Sequence, residues 1–220
     1  MTRTQLFAYG AAAFSSLLAG GTQAAAQHGQ KIDEAKLDFS DREEIVVEDF
    51  PAQGFILDIG GGGEGVIGQM KGSQVVAIDL SKRELEGAPA GPLKIVMDAT
   101  DLKFLDGSFE TVTAFFSFMY MGPEVREKAL KEIRRVLAPG GRFLLWDPVV
   151  PVAKDPKKEY AVFRYLFKLP STTVRTGYGT LYRDFERDAA YHIGFAERAG
   201  FKVAKRREQG GTFFLEFVRG

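Results

Sequence analysis

Phe55-Ile56-Leu57-Asp58-Ile59-Gly60-Gly61-Gly62-Gly63-Glu64-Gly65 decides the fold. Four apolar residues and one acid lead into five glycines in six positions. An apolar run of this length reads as a buried strand. Glycines directly after it let the backbone turn tightly and pass close to another group. In parallel α/β sheets that group is a nucleotide-like ligand at the carboxyl end of a strand.

Outward from this run, strands and helices alternate. The apolar stretches 75–79, 93–97 and 111–117 predict three further strands, the first two closed by Asp79 and Asp98. Pro123 opens a helix whose apolar face carries Leu130, Ile133, Val136 and Leu137, and Pro139-Gly140-Gly141 is expected to end it. Residues 142–146 form the fifth strand. Short links, of one or two helical turns at most, join the first three strands. This is a trimmed doubly wound plan with a mostly parallel sheet. Residues 149–184 break the alternation with strand-like stretches at 160–169 and 173–182 around Pro170-Ser171, a β-hairpin excursion. A helix at 187–199 and two strands flanking Gly210-Gly211 follow, the latter as an antiparallel closing hairpin. Ahead of the first strand, Ser40-Asp41-Arg42-Glu43 has the form of a capping box and predicts a short helix over 41–48.

Composition narrows the function. The chain has 220 residues, enough for one domain, or one domain and a leader. Lys+Arg and Asp+Glu are both 29, a balance that argues against a dedicated nucleic-acid binder. There is no cysteine, which excludes disulfides, thiol catalysis and cysteine-held metals, and two histidines are too few for a histidine-built metal site. No metal ligand is assigned. Residues 1–30 stand apart. Arg3 is the only charge before Lys31, residues 6–18 are small and apolar, and Ala24-Ala25-Ala26 offers a cleavage pattern before Gln27. This is the build of a signal peptide, with a disordered leader as the alternative, and it is too short for a stable membrane span. Export, for instance to a periplasm, follows if the leader is cleaved there. Otherwise the chain is cytoplasmic. Residues 31–220 are expected to form the globular domain.

Gly60, Gly62 and Gly65 satisfy G-x-G-x-x-G, a spacing shared by dinucleotide enzymes and methyltransferases. Asp58 separates the two. A carboxylate two positions before the first glycine repels a pyrophosphate and welcomes a cation. Asp79, 21 residues on, suits the hydroxyls of a ribose. Asp98-Ala99 suits the edge of an adenine.

With Leu57-Asp58-Ile59-Gly60 and Gly62, Ala77-Ile78-Asp79-Leu80-Ser81, Asp98-Ala99, Leu105-Asp106-Gly107-Ser108-Phe109-Glu110 and Arg134-Arg135-Val136-Leu137-Ala138-Pro139-Gly140-Gly141 in order, residues 50–148 resemble the class I S-adenosylmethionine-dependent methyltransferases. They are most similar to the small-molecule branch related to ubiquinone and menaquinone C-methyltransferases. The resemblance implies a Rossmann-like methyltransferase sheet, S-adenosylmethionine as cofactor and a small-molecule acceptor. It places Asp58 near the methionine end and Gly60 and Gly62 beneath the cofactor. Asp79 falls on the ribose, Leu80 on the adenine face, Asp98 and Ala99 on its edge, and Phe116 and Ser117 toward the methyl. One departure stands out: the family's third glycine position holds Glu64, so either the loop is one residue longer or Gly63 relieves the turn.

The Asn/Asp-Pro-Pro-aromatic signature of nucleic-acid amino methyltransferases is missing after the fourth strand, where residues 116–120 stand. Tyr120, Asp147, Tyr178 and His192 are candidate bases, and none is assigned. Tyr160, Phe163, Tyr165, Phe167, Tyr178 and Tyr182 are aromatics enough to line an apolar acceptor cavity, so the excursion is expected on the acceptor side. The competing functions are a nicotinamide-dependent oxidoreductase and a non-catalytic, exported S-adenosylmethionine-binding protein.

Overall fold

The computed structural model describes residues 33–220. The leader expected over residues 1–30 lies outside the described residues. The described residues divide into two compact units, one of 33–48 with 150–186, the other of 49–149 with 187–220.

The larger unit is built on a seven-stranded sheet. Its strands are β2 (Ile56–Ile59), β3 (Val75–Asp79), β4 (Leu93–Val96), β5 (Phe109–Phe115), β6 (Leu137–Pro148), β9 (Phe201–Gln209) and β10 (Thr212–Arg219); β1, β7 and β8 belong to the smaller unit. The order is β4-β3-β2-β5-β6-β10-β9. β4 to β6 through the centre are parallel, and β10 and β9 close the sheet as an antiparallel hairpin. The chain leaves β2 toward one edge and returns at β5 on β2's other side. The switch point of the sheet therefore lies between the carboxyl ends of β2 and β5, where open α/β sheets bind ligands.

Short helices α1 (Val66–Lys71) and α2 (Lys82–Gly87) link the first three of these strands. α3 (Pro123–Val136) starts on its proline, ends on Arg134-Arg135 beside the carbonyl end of the helix dipole, and buries Ala129, Leu130, Ile133 and Val136 on one face. α4 (Ala189–Arg198) is capped by the Asp188 carboxylate, which accepts from the Tyr191 N–H. The core is continuous across Leu57, Ile59, Val112, Phe118, Phe143 and Phe217.

α3 stops three residues before Pro139. Leu137 already pairs with Phe109, and Thr111 next pairs with Arg142, so the Pro139-Gly140-Gly141 stretch loops out of the ladder within β6 rather than ending the helix. Gly107 N–H donates to the Arg135 carbonyl at that junction, 3.0 Å away.

The smaller unit is a three-stranded sheet of β1 (Leu37–Val46), β7 (Tyr160–Lys168) and β8 (Thr173–Leu181) in the order β1-β7-β8. β7 and β8 form the expected hairpin. β1 occupies the place where a helix over 41–48 was expected. Residues 43–47 bury on a period of two, not 3.6, and end in the β-branched run Ile45-Val46-Val47. Parallel pairing with β7 satisfies the backbone that a helix would have satisfied locally. The Ser40-Asp41 part of the capping box falls at a bulge, where the Ser40 carbonyl accepts two bonds from Arg164, at 2.8 and 2.6 Å. Phe163, Tyr165 and Phe167 share one face of β7, their rings stacked at 6.1 and 5.3 Å.

Candidate functional site

The glycine loop sits at the carboxyl end of β2 and is tied to its neighbours by main-chain bonds. Gly60 and Gly61 N–H donate to the Ile78 carbonyl, at 2.8 and 3.0 Å, and Gly63 N–H donates to the Glu84 carbonyl at 3.0 Å. The loop has no room for side chains. A Cβ on Gly62 would lie 2.9 Å from Asp79 Oδ2 and 2.6 Å from Glu84 Cβ, and one on Gly60 would lie 2.5 Å from Ser117 Cβ. Gly60 also has a left-handed φ of 74°. Glu64 keeps an ordinary backbone, while Gly63 and Gly65 on either side take the left-handed turns at φ 62° and 53°. Gly65 then caps α1. The departure from the family pattern is thus absorbed by two flanking glycines.

Asp58 lies inside β2, 2% exposed, and accepts a 2.7 Å bond from the Thr113 hydroxyl of β5. Burial pushes its carboxyl up to about 7, against the Thr113 bond and with a smaller push from Asp79. Asp79 ends β3, and its Oδ1 accepts from Ser81 N–H at 2.8 Å. Burial raises Asp79 too, offset by the N–H groups of Ser81, Gly62 and Leu80. Leu80 beside it is 50% exposed, an apolar surface at the rim of the site. Asp98 follows β4 and is held by the Thr100 N–H and hydroxyl, both at 2.8 Å. Ala99 is buried.

Across the switch point, Ser117 donates its hydroxyl to the Ile59 carbonyl at 2.7 Å, bridging the ends of β5 and β2. Phe116 has φ 53°, the sole non-glycine residue with positive φ among the described residues. A bulky aromatic held there is strained, and such strain gathers at functional sites. The structure thus brings Asp58, Gly60, Gly62, Asp79, Leu80, Phe116 and Ser117 to one edge of the sheet. Asp98 and Ala99 stand next in line, since the Met97 N–H beside them donates to the Asp79 carbonyl at 3.0 Å.

Residues 57–145 match the family model described as a methyltransferase domain. The ubiquinone/menaquinone biosynthesis C-methyltransferase UbiE of Desulfotalea psychrophila is 32% identical over 129 residues, covering 54% of this chain and 51% of that protein. The O-methyltransferase resE of Aspergillus sclerotiorum is 33% identical over 127 residues, covering 52% of this chain and 47% of its own length. The chain thus spans about half the length of these two curated relatives. A SAM-dependent methyltransferase of known structure from Methanosarcina mazei superposes with a TM-score of 0.54 at 18% identity, over 77% of this chain and 94% of that one. That likeness fixes the fold.

Some contributors to the site were not singled out from sequence. Glu84 lies against Gly62 and Gly63. Its signal was Ser81-x-x-Glu84, a capping box in which the Ser81 hydroxyl accepts from the Glu84 N–H at 3.3 Å. Thr113 reads in sequence as an ordinary strand residue, and only β2–β5 pairing puts it opposite Asp58. Among the candidate bases, burial holds the Tyr120 phenol well above its ordinary value, with Glu64, Asp147, Glu84 and Asp79 adding to it. His192 is pushed well below its ordinary value by burial and then by Arg126 and Arg187, so it is neutral. Burial pushes the Asp147 carboxyl up, against Arg126 and Arg187. Tyr178 lies in the smaller unit.

Proposed function

We propose that this chain is a methyltransferase that uses S-adenosylmethionine to methylate a small-molecule acceptor. The observation that carries this reading is Asp58, a buried carboxylate under a glycine loop that also faces Asp79 and Glu84. Acids on this side of the loop oppose a pyrophosphate and favour a ligand that carries cationic groups. That disfavours the nicotinamide alternative. The relatives' names add support, since they include a C-methyltransferase and an O-methyltransferase.

The residues present fit the cofactor. Asp79 would take the ribose hydroxyls, with the bare edge of Gly62 leaving room beside its Oδ2. Leu80 would lie on the adenine, and Asp98 with Ala99 at its edge. Asp58 would favour the ammonium end, and Phe116 and Ser117 would stand by the transfer end. When bound, S-adenosylmethionine supplies an electrophilic methyl on a sulfonium, whose leaving sulfur is neutral. The protein's part is then chiefly alignment and the exclusion of water. Tyr120 stays an O–H, and burial lowers the proton affinity of His192, so neither is a strong base at neutral pH.

Calorimetry with S-adenosylhomocysteine and NAD tests this. Binding of the nucleoside without binding of NAD is the expected result. Tight NAD binding with no response to S-adenosylhomocysteine would overturn the reading. The composition and the missing Pro-Pro-aromatic signature support a small acceptor over a nucleic acid. Among the described residues, no helix is long and apolar enough to cross a membrane. For location we propose export, supported by the leader pattern of residues 1–26. Mass spectrometry of the native protein decides: a chain starting near Gln27 supports it, and an intact terminus in the cytosol refutes it.

A further inference from the structure

Two buried guanidiniums bond the turn that follows β5, and neither belongs to the cofactor site described above. The turn is a single 3₁₀ unit, Phe118–Tyr120, directly after Phe116 and Ser117. Arg126, fully buried in α3, donates to the Phe118 carbonyl at 2.8 Å. Arg187, 4% exposed, donates to the Met119 carbonyl at 2.8 Å. Taking a guanidinium out of water is costly unless its bonds are well made. Bonds from a charged donor are short and directional, so these two fix how consecutive peptide groups point.

The two arginines differ in what else they do. Arg126 also donates to the Tyr191 hydroxyl at 2.7 Å and lies over the Tyr191 ring, which ties α3 to α4. Arg187 directly precedes Asp188, whose carboxylate caps α4 by accepting from the Tyr191 N–H at 2.8 Å. Its backbone is therefore anchored at a helix start while its side chain reaches the turn. It also lies outside residues 57–145, the part that matches the methyltransferase model.

The bond from Arg187 reaches the site through two peptide planes. The Met119 carbonyl and the Tyr120 N–H belong to one rigid unit. That N–H donates to the Ser117 carbonyl at 3.3 Å. Ser117 in turn donates its hydroxyl to the Ile59 carbonyl at 2.7 Å, and this carbonyl shares its plane with the Gly60 N–H. Gly60 and Ser117 are in close contact: a Cβ on Gly60 would lie 2.5 Å from Ser117 Cβ. Phe116, just before, is held at φ 53°, a strain that only a firmly fixed turn maintains. The nucleoside end has its own supports. Asp79 Oδ1 accepts from the Ser81 N–H at 2.8 Å, and the Gly63 N–H donates to the Glu84 carbonyl at 3.0 Å. On the methyl-donor reading, on which this inference rests, Asp79 takes the ribose while Gly60 and Ser117 stand at the sulfur end. We propose that Arg187 is a positioning residue: through the Met119 carbonyl it holds Ser117 against Gly60 and so sets the sulfur end of the methyl-donor site, leaving the nucleoside end to Asp79.

Two ligands separate the ends. Adenosine fills only the nucleoside end, and S-adenosylhomocysteine reaches both. Each is titrated by calorimetry into wild type, Arg187→Met and Arg187→Lys. Arg187→Met keeps the apolar stem and removes the donor. It should weaken S-adenosylhomocysteine about tenfold, about 1.4 kcal/mol, and leave adenosine within threefold, which also certifies the fold of the variant. Arg187→Lys restores a charged donor one bond short of the native reach and should bring S-adenosylhomocysteine back to within threefold of wild type. Arg187→Gln, whose amide falls two bonds short, replaces Arg187→Met if that variant does not fold, with the same selective loss expected. Unchanged S-adenosylhomocysteine affinity in the Met or Gln variant overturns the proposal. Equal losses for both ligands overturn it too, because an arginine with a merely structural role would loosen both ends. So does a Lys variant as weak as the Met variant, and this recovery decides alone if adenosine binds too weakly to titrate. A wild type that does not bind S-adenosylhomocysteine strikes the methyl-donor reading instead, and is seen before any variant is made.

Discussion

The two units of this chain keep their order by different means. The larger, besides exposed pairs such as Lys82–Glu86, buries a set of ionisable groups. Arg126, Arg187, Asp147, His192 and Asp58 are all under 9% exposed; the two guanidiniums bond main-chain carbonyls, Asp58 accepts from Thr113 on the neighbouring strand, and His192 Nε2 stands 3.8 Å from Asp147 Oδ2. The smaller unit holds its charges at the rim. Lys36–Glu159 and Lys168–Glu44 pair at 2.6 and 2.5 Å with side chains about half exposed, around a stacked aromatic stripe. Buried charge is costly unless its partners are fixed, so it marks where geometry is held for a purpose. Exposed charge marks a surface.

The largest effect expected from this contrast is on stability. Arg126→Leu should destabilise the larger unit by about 3–5 kcal/mol, because it strips the Phe118 carbonyl and the Tyr191 hydroxyl of their donor and leaves Asp147 with one guanidinium fewer. Urea denaturation measures this. A loss below ~1 kcal/mol, the scale of an exposed pair, would erase the distinction between the units.

Next comes cofactor affinity. Asp79→Ala should weaken S-adenosylhomocysteine by ~1–3 kcal/mol, the cost of leaving hydroxyls without a charged acceptor. Tyr182→Phe in the smaller unit removes a 2.7 Å bond to Asp38 and should leave that affinity within threefold. The reverse pattern in calorimetry would move the nucleoside away from the glycine loop.

These two units were also unequally legible in sequence. β2, β3 and the helix at Pro123 could be read because each has a local cause: an apolar run ending in an acid or glycine, or a proline at a helix start. Asp58 and Asp79 were singled out by spacing alone. Thr113, Arg126 and Arg187 were not, because their roles exist only through pairing across the sheet or packing between helices. The β1 segment was misread for the same reason. Its capping-box letters favour a helix locally, and the partner that makes it a strand lies more than 100 residues away, at Tyr160–Lys168. Parallel pairing leaves no turn signal between its strands.

The pH dependence of binding sharpens the buried side of the comparison. Burial raises the Asp58 carboxyl to about 7. Stability contributed by this group is therefore greatest below the unfolded value near pH 4 and is lost as pH rises toward 7. Asp58→Asn should remove that slope, to be seen as a growing advantage of the variant from pH 4 to 7. A cationic ligand lowers the carboxyl's proton affinity, so binding releases a proton. Affinity for S-adenosylmethionine should then rise about tenfold, or ~1.4 kcal/mol, between pH 6 and 8. Heats measured in buffers of different ionisation enthalpy count the proton. No release at pH 6.5 would mean that Asp58 is already ionised without ligand, or that the ligand's charge lies elsewhere.

The smallest effect belongs to the rim of the smaller unit. Lys168 and Glu44 pair diagonally across β7 and β1, on either side of the Ile45–Phe167 pair. Their side chains are 47% and 53% exposed, so water screens the pair and ordering two long side chains offsets most of the attraction. Lys168→Ala should cost at most ~0.5 kcal/mol and lose even that in high salt. Arg164→Ala, a few positions along the same strand, is a different case. It removes both bonds to the Ser40 carbonyl at the bulge, so its cost should reach ~1–2 kcal/mol and persist in salt. Equal costs for the two variants would mean that the bulge carbonyl finds water as readily as the guanidinium. The register of β1 would then rest on its apolar residues, Leu37 and Ile45, alone.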